Sequence, residues 1–136
     1  MVRASIQSSK NAGLAPEFEN SRERSISILV VDDDEDVREV VAETLEHFGY
    51  GVVQAASGEE ALPMLAADHN IGLMITDIRM PGMSGLELAE RVRREYAGVK
   101  IIVTSGYFLP QQINDRFLRK PFQMRELASA VEAELG

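Results

Sequence analysis

The chain has no cysteine, no tryptophan and only two histidines, His47 and His69. Without thiols there is no disulfide framework, no thiolate nucleophile and no cysteine-held metal, and two histidines are too few for a histidine-based zinc centre. Long apolar runs are also missing: the longest, such as residues 28–31 and 101–103, fall far short of the roughly 20 residues of a membrane helix. The first ten residues, MVRASIQSSK, lack the apolar centre of a signal peptide, so a cytoplasmic protein with no membrane partner is expected. Positive charge is in deficit, with 14 Lys and Arg against 22 Asp and Glu and a net charge of −8 at pH 7. Such a surface repels phosphate backbones and argues against a nucleic-acid partner.

What is present is close to the globular average, 45% hydrophobic and 26% charged, which predicts one compact domain. Residues 1–25 scatter Ser, Asn, Gly, Pro and charges of both signs without helical or strand period, and read as a flexible N-terminal extension. Residues 26–136 read as the domain. There, short apolar runs alternate with helical periods, the pattern of successive βα units around a parallel sheet. Strands are expected at residues 28–31, 52–53, 71–76 and 99–103, with a short fifth at 117–119. Val37, Val40, Val41, Leu45 and Phe48 recur at helical spacing, and Gly49 follows where a left-handed cap would end that helix. Ser57 with Glu60, and Ser84 with Glu87, have the spacing of capping boxes opening a second and a third helix. Pro63 lies inside the second, predicting a kink or irregularity there. Residues 124–135 close the domain as a helix.

The unusual feature is where charge appears. Asp32 and Asp33 directly follow the first strand, Asp77 ends the third, Thr104 and Ser105 follow the fourth, and Lys120 follows the fifth. Ligands bind at such carboxyl ends in open α/β sheets. Three carboxylates gathered there repel one another, raise at least one pKa and attract a hard, oxygen-seeking cation such as magnesium. Lys120 would supply counter-charge at the same edge. A plainer alternative, an acidic first turn favoured by the helix dipole, suffices for Asp34, Glu35 and Asp36. It does not account for Asp77, Thr104 and Lys120 at three further strand ends. A calcium loop is also suggested, since Asp32, Asp34, Asp36 and Glu43 fall at positions 1, 3, 5 and 12 of the EF-hand pattern. It fails on context: Val37 stands where glycine is required, Val40 stands at position 9, and an apolar strand precedes the run.

Together these segments resemble the receiver domain of bacterial two-component response regulators, from about residue 26 to the C-terminus. ILVVDDDEDVRE is similar to that family's first strand and acidic pair, ITDIRMPGMSGLEL to its phosphoacceptor segment, IIVTSGY to its fourth strand and FLRKPF to its lysine-proline segment. The resemblance implies a flavodoxin-like α/β fold, a five-stranded parallel sheet with helices on both faces. It implies that Asp77 takes a phosphoryl group from a histidine kinase or a histidine phosphotransferase in a magnesium-dependent reaction. Asp33, Asp77 and the backbone carbonyl of Arg79 would be direct metal ligands, with Asp32 acting mainly through water. Thr104 would hydrogen-bond the phosphoryl group and Lys120 would pair with it. The Lys120–Pro121 bond would be cis. Phosphorylation would be signalled by Thr104 moving toward the phosphoryl group and Phe117 turning inward, although Phe117 equally fits an ordinary core aromatic.

Two departures modify these expectations. Thr104 and Lys120 are only 16 positions apart, and GYFLPQQINDR between them has few periodic apolar residues, so the fourth helix is expected to be shortened or absent. Dimerisation through that face is weakened accordingly, leaving a monomer or weak dimer. The two positions that tune phosphoryl lifetime in the family are here Arg79 and Gly106, which points to slow self-dephosphorylation. With 16 residues after Lys120, a stand-alone receiver is expected, acting on a downstream protein target or relaying phosphate. The alternatives are a degenerate receiver serving as an interaction module and a small aspartate-nucleophile phosphohydrolase.

Overall fold

The structure, a computed structural model, describes residues 26–107 and 113–136; the expected N-terminal extension lies outside the described residues. Five strands form one sheet: β1 (Ser27–Val31), β2 (Gly51–Ala55), β3 (Ile71–Asp77), β4 (Lys100–Ser105) and β5 (Arg116–Arg119). Every neighbouring pair is parallel, in the order β2-β1-β3-β4-β5. The helices are α1 (Glu35–His47), α2 (Gly58–Ala67), α3 (Gly85–Glu95) and α4 (Met124–Leu135). Among the described residues no helix lies between β4 and β5; the segment expected to hold a shortened or absent helix falls partly at 108–112, outside the described residues. No helix of the described residues is long and apolar enough to cross a membrane.

The central strands are unbroken apolar runs because both faces of the sheet are covered. Ile28, Val30, Leu73, Ile75 and Ile102 pack against Val41 and Leu45 of α1 and Leu127 and Val131 of α4. Alternate residues Leu29, Val31, Met74 and Val103 pack against Leu65 of α2 and Leu88 and Val92 of α3 on the other face. This division follows from right-handed crossovers. The chain leaves β1 toward β2 over one face, then returns past β1 to β3 over the opposite face. The connections from β1 and β3 therefore diverge, opening a crevice at the carboxyl ends of those two strands.

Local chemistry sets the helix ends. The Asp34 carboxylate accepts from the Asp36 and Val37 amides and caps α1, which ends at Gly49 with a φ of 97°. Ser84 and Glu87 form a complete capping box on α3. The box expected on α2 is only half made: Ser57 Oγ accepts from the Glu60 amide, but the Glu60 carboxylate accepts from Ala56 one residue upstream. Pro63 does not interrupt α2, which runs unbroken from Gly58 to Ala67. The proline withholds one amide, yet Ala61 and Leu65 on either side are buried in the core and hold the helix to the sheet.

Candidate functional site

At the crevice between β1 and β3, the buried Asp32 and Asp77 and the exposed Asp33 bring one carboxylate oxygen each within 4.8 Å of one another. Register explains the meeting: Val31 pairs with Thr76, so the residues that follow emerge side by side. Asp77 in turn pairs with Thr104 on β4, and Ser105 with Arg119, which delivers Lys120 to the same edge. The Lys120–Pro121 bond is cis. Lys120 Nζ donates to Asp32 Oδ2 at 2.9 Å and lies 3.3 Å from Asp77 Oδ1. Asp32, Asp33, Asp77 and Lys120 thus line one cleft, with Arg79, Met80 and Tyr107 on its walls, while Thr104 and Ser105 are buried at the end of β4.

The three carboxylates are not equivalent. Every polar group of Asp32 is engaged: its amide donates to Ala55, its carbonyl accepts from Arg38 at 2.7 Å, Oδ1 accepts from the Asp34 amide and Oδ2 from Lys120. Asp33 makes no hydrogen bond among the described residues and faces solvent. Asp77 is 9% exposed, lines the cleft and has Oδ1 against Lys120. Burial pushes the Asp77 carboxyl above the usual carboxylate range, with Lys120 pulling it back and the charge of Asp32 adding to the rise. Burial alone would lower Lys120, but its hydrogen bond and charge pairing with Asp32, and then Asp77, more than offset this and hold the ammonium above its ordinary value. A carboxyl group held above its ordinary range beside a protonated lysine in a cleft marks the candidate site.

Thr104 is 3% exposed and, among the described residues, its hydroxyl has no hydrogen-bond partner. Phe117 is half-buried against the core on the α2 and α3 face. A close approach fixes the loop after Asp77. The Gly85 amide donates to the Ile78 carbonyl at 2.8 Å, and any Cβ at Gly85 would collide with the Asp77 backbone oxygen.

Three contacts were not foreseen from residue type. Arg38, on α1, bridges the Asp32 carbonyl and Gln54 Oε1 of β2. Arg79 lies with its guanidinium carbon 4.2 Å from the centre of the Tyr107 ring. Glu59 accepts from the Met83 amide, tying α2 to the loop before α3. Each joins elements distant in sequence, for which spacing carries no signal.

Known proteins resemble this chain in sequence and fold. The chain is 34% identical over 119 residues to the sensor kinase CckA of Brucella abortus, covering 82% of this chain and 13% of that protein. It is 36% identical over 119 residues to the transcriptional regulatory protein FixJ of Azorhizobium caulinodans, covering 82% of this chain and 56% of that one. It therefore spans between 13% and 56% of the length of these curated relatives. Among solved structures, the chemotaxis protein CheY4 of Vibrio cholerae superposes with a TM-score of 0.74 at 29% identity, over 80% of this chain and 98% of that one. The response regulator TrrA of Thermotoga maritima, solved in complex with Mg(2+)-BeF, gives 0.73 at 37% identity, over 79% and 97%. The family model for the response regulator receiver domain matches residues 28–132. On that match the chain belongs to the receiver domains of two-component signal transduction, signalling phosphoacceptors rather than enzymes with a turnover substrate.

Proposed function

We propose that Asp77 accepts a phosphoryl group from a phosphohistidine of a histidine kinase or a histidine phosphotransferase, and that the modified domain then switches a protein partner or passes the phosphate on. The Asp77 carboxylate, lining the cleft beside the Lys120 ammonium, carries this reading. It attacks phosphorus, the bond from phosphorus to the donor histidine nitrogen breaks, and the nitrogen keeps the electron pair and takes up a proton. Lys120 neutralises charge on the transferring oxygens, and the unpartnered Thr104 hydroxyl is free to hydrogen-bond them. Movement of Thr104 toward the new group vacates space into which Phe117 turns.

The donor set suits magnesium, since clustered carboxylate oxygens are hard ligands. Asp33, Asp77 and the Arg79 carbonyl would hold the ion directly and Asp32, already fully engaged, through water. When bound, the ion supplies further neutralisation of the transferring oxygens.

The test is intact-protein mass spectrometry after incubation with acetyl phosphate and magnesium, for wild type and Asp77→Asn, with and without chelator. The expected result is a single phosphoryl adduct that needs magnesium and disappears in the variant. A folded wild-type protein without adduct, or an adduct that persists in Asp77→Asn, would overturn the assignment.

A further inference from the structure

The loop from β3 to α3 carries the Arg79 carbonyl and walls the cleft with Arg79, Met80, Pro81 and Ser84. Both its ends are fixed: the Ile78 amide donates to the Thr104 carbonyl at 2.9 Å, and the Ile78 carbonyl accepts from the Gly85 amide at 2.8 Å. Between them, residues 79–83 make one hydrogen bond among the described residues, from the Met83 amide to Glu59 Oε2 at 3.1 Å. Two glycines make room for this contact. At Gly82, whose φ is 77°, a Cβ would lie 2.9 Å from Glu59 Oε2, and a Cβ at Gly58 would meet Met83 Sδ at 2.9 Å. The carboxylate therefore lies against one bare backbone and the Met83 side chain against another. The platform is itself secured, because Gly58, Ala61 and Leu65 of α2 are buried and Ser57 caps its first turn.

We propose that Glu59 is a positioning residue: reaching from α2, its carboxylate holds the loop at Met83 and thereby places the Arg79 carbonyl for magnesium. The proposal rests on the phosphoacceptor reading above, in which that carbonyl is a direct ligand. Magnesium tolerates little departure from octahedral geometry, so a ligand that wanders binds it weakly. A side chain can turn to meet the ion, but a carbonyl moves only with its backbone. The Pro81 ring fixes one φ of the short stretch from Arg79 to Met83. Gly82 is its most permissive residue, and anchoring the next amide removes that freedom. A plainer role for Glu59 is that of an acid in the first turn of α2, favoured by the helix dipole. Glu60 fills that role equally, yet its carboxylate accepts from the Ala56 amide at 2.8 Å and not from the loop. The two neighbours thus separate charge from contact.

The test uses the full chain as wild type, Glu59→Ala, Glu59→Gln and Glu60→Ala. Without metal, the Met83 amide should lose protection from hydrogen–deuterium exchange in Glu59→Ala and keep it in Glu60→Ala. With magnesium as the sole added ligand, calorimetric titration should give a dissociation constant about two- to tenfold higher in Glu59→Ala, the net worth of one hydrogen bond. Glu59→Gln keeps an acceptor oxygen and should recover most of that loss, and Glu60→Ala should bind as wild type does. Labelling by acetyl phosphate should be slower in Glu59→Ala at limiting magnesium and restored at saturating magnesium, a split that general loss of folding would not produce. Unchanged Met83 protection or magnesium affinity in Glu59→Ala, an equal loss in Glu60→Ala, a Glu59→Gln variant as weak as Glu59→Ala, or slow labelling that persists at saturating magnesium would overturn the proposal while leaving the phosphoacceptor reading intact. A wild type that binds no magnesium and forms no adduct would overturn both.

Discussion

Replacing Asp77 with asparagine should make the metal-free protein more stable while abolishing its proposed chemistry. Desolvating a carboxylate that is nine-tenths buried costs several kcal/mol. Repulsion from Asp32, whose oxygen lies within 4.8 Å, adds about 3 kcal/mol at an effective dielectric of about 20. Attraction to Lys120 at 3.3 Å returns about 5 kcal/mol on the same scale. The balance is unfavourable, in line with the raised Asp77 pKa. An asparagine of the same shape removes the charge and leaves Lys120 paired with Asp32 at 2.9 Å. The expected gain is about 1–2 kcal/mol, or about 4–10 °C in Tm, read by thermal melts at pH 7 in chelator. The sign with pH is also set. Because folded Asp77 binds its proton more tightly than the unfolded residue, the wild type loses stability as pH rises through the raised pKa. The advantage of the variant is therefore full above that pKa and vanishes below the ordinary carboxylate pKa of the unfolded chain. A variant that melts lower than wild type at pH 7, or whose advantage grows on acidification, would refute this account of the site.

Lys120→Ala leaves two buried carboxylates without a counter-charge and should cost about 2–4 kcal/mol in urea unfolding, with part of the loss recovered in Lys120→Ala/Asp77→Asn. Magnesium at ten times its dissociation constant should stabilise wild type by about 1.4 kcal/mol, and much less in Asp33→Asn, whose side chain is otherwise unengaged. Gly85→Ala must push α3 away from the Asp77 backbone oxygen, and is expected to cost about 1–3 kcal/mol and to weaken magnesium binding as well. Ser84→Ala removes the capping hydroxyl of a complete box, and about 1 kcal/mol should be lost in chemical denaturation with no change in magnesium affinity.

The sequence announced those parts of the molecule that depend on local chemistry. Strands buried on both faces have to be continuous apolar runs, and β1, β3 and β4 are. Gly49 and the pair Ser84 and Glu87 end and begin helices through contacts of a few residues, and both are found as expected. The convergence of Asp32, Asp33, Asp77 and Lys120 was foreseeable because a parallel sheet puts all carboxyl ends at one edge. Where a side chain had a second choice, spacing misled. Glu60 took the Ala56 amide instead of completing its box. Spacing was silent on Arg38 reaching across to Gln54 and on Arg79 finding Tyr107, since both partnerships exist only after distant segments are packed.

That difference bears on how the cleft divides its work. Asp32 and Asp33 are neighbours of identical type, yet every polar atom of one has a hydrogen-bond partner and, among the described residues, the side chain of the other has none. The clamp of Arg38 on the Asp32 carbonyl and the salt bridge from Lys120 fix the turn after β1, so that Asp33 is presented by a rigid backbone with its carboxylate free. Lys120, in turn, is oriented by Asp32 ahead of the proposed phosphoryl transfer to Asp77. The distances show the order of preference: 2.9 Å to Asp32 and 3.3 Å to Asp77. Asp32→Asn would therefore do more than delete an outer magnesium contact. It would weaken the tether that keeps Lys120 from settling wholly on Asp77, and the stronger pairing would lower the Asp77 pKa and engage the oxygen that must stay reactive. The expected outcome is a protein in which the Asp77 carboxyl resonance titrates at lower pH than in wild type and acetyl phosphate labels Asp77 more slowly at saturating magnesium. An Asp77 titration unchanged or shifted upward in Asp32→Asn would refute this account, because loss of the Asp32 charge and tighter pairing with Lys120 both lower the Asp77 pKa.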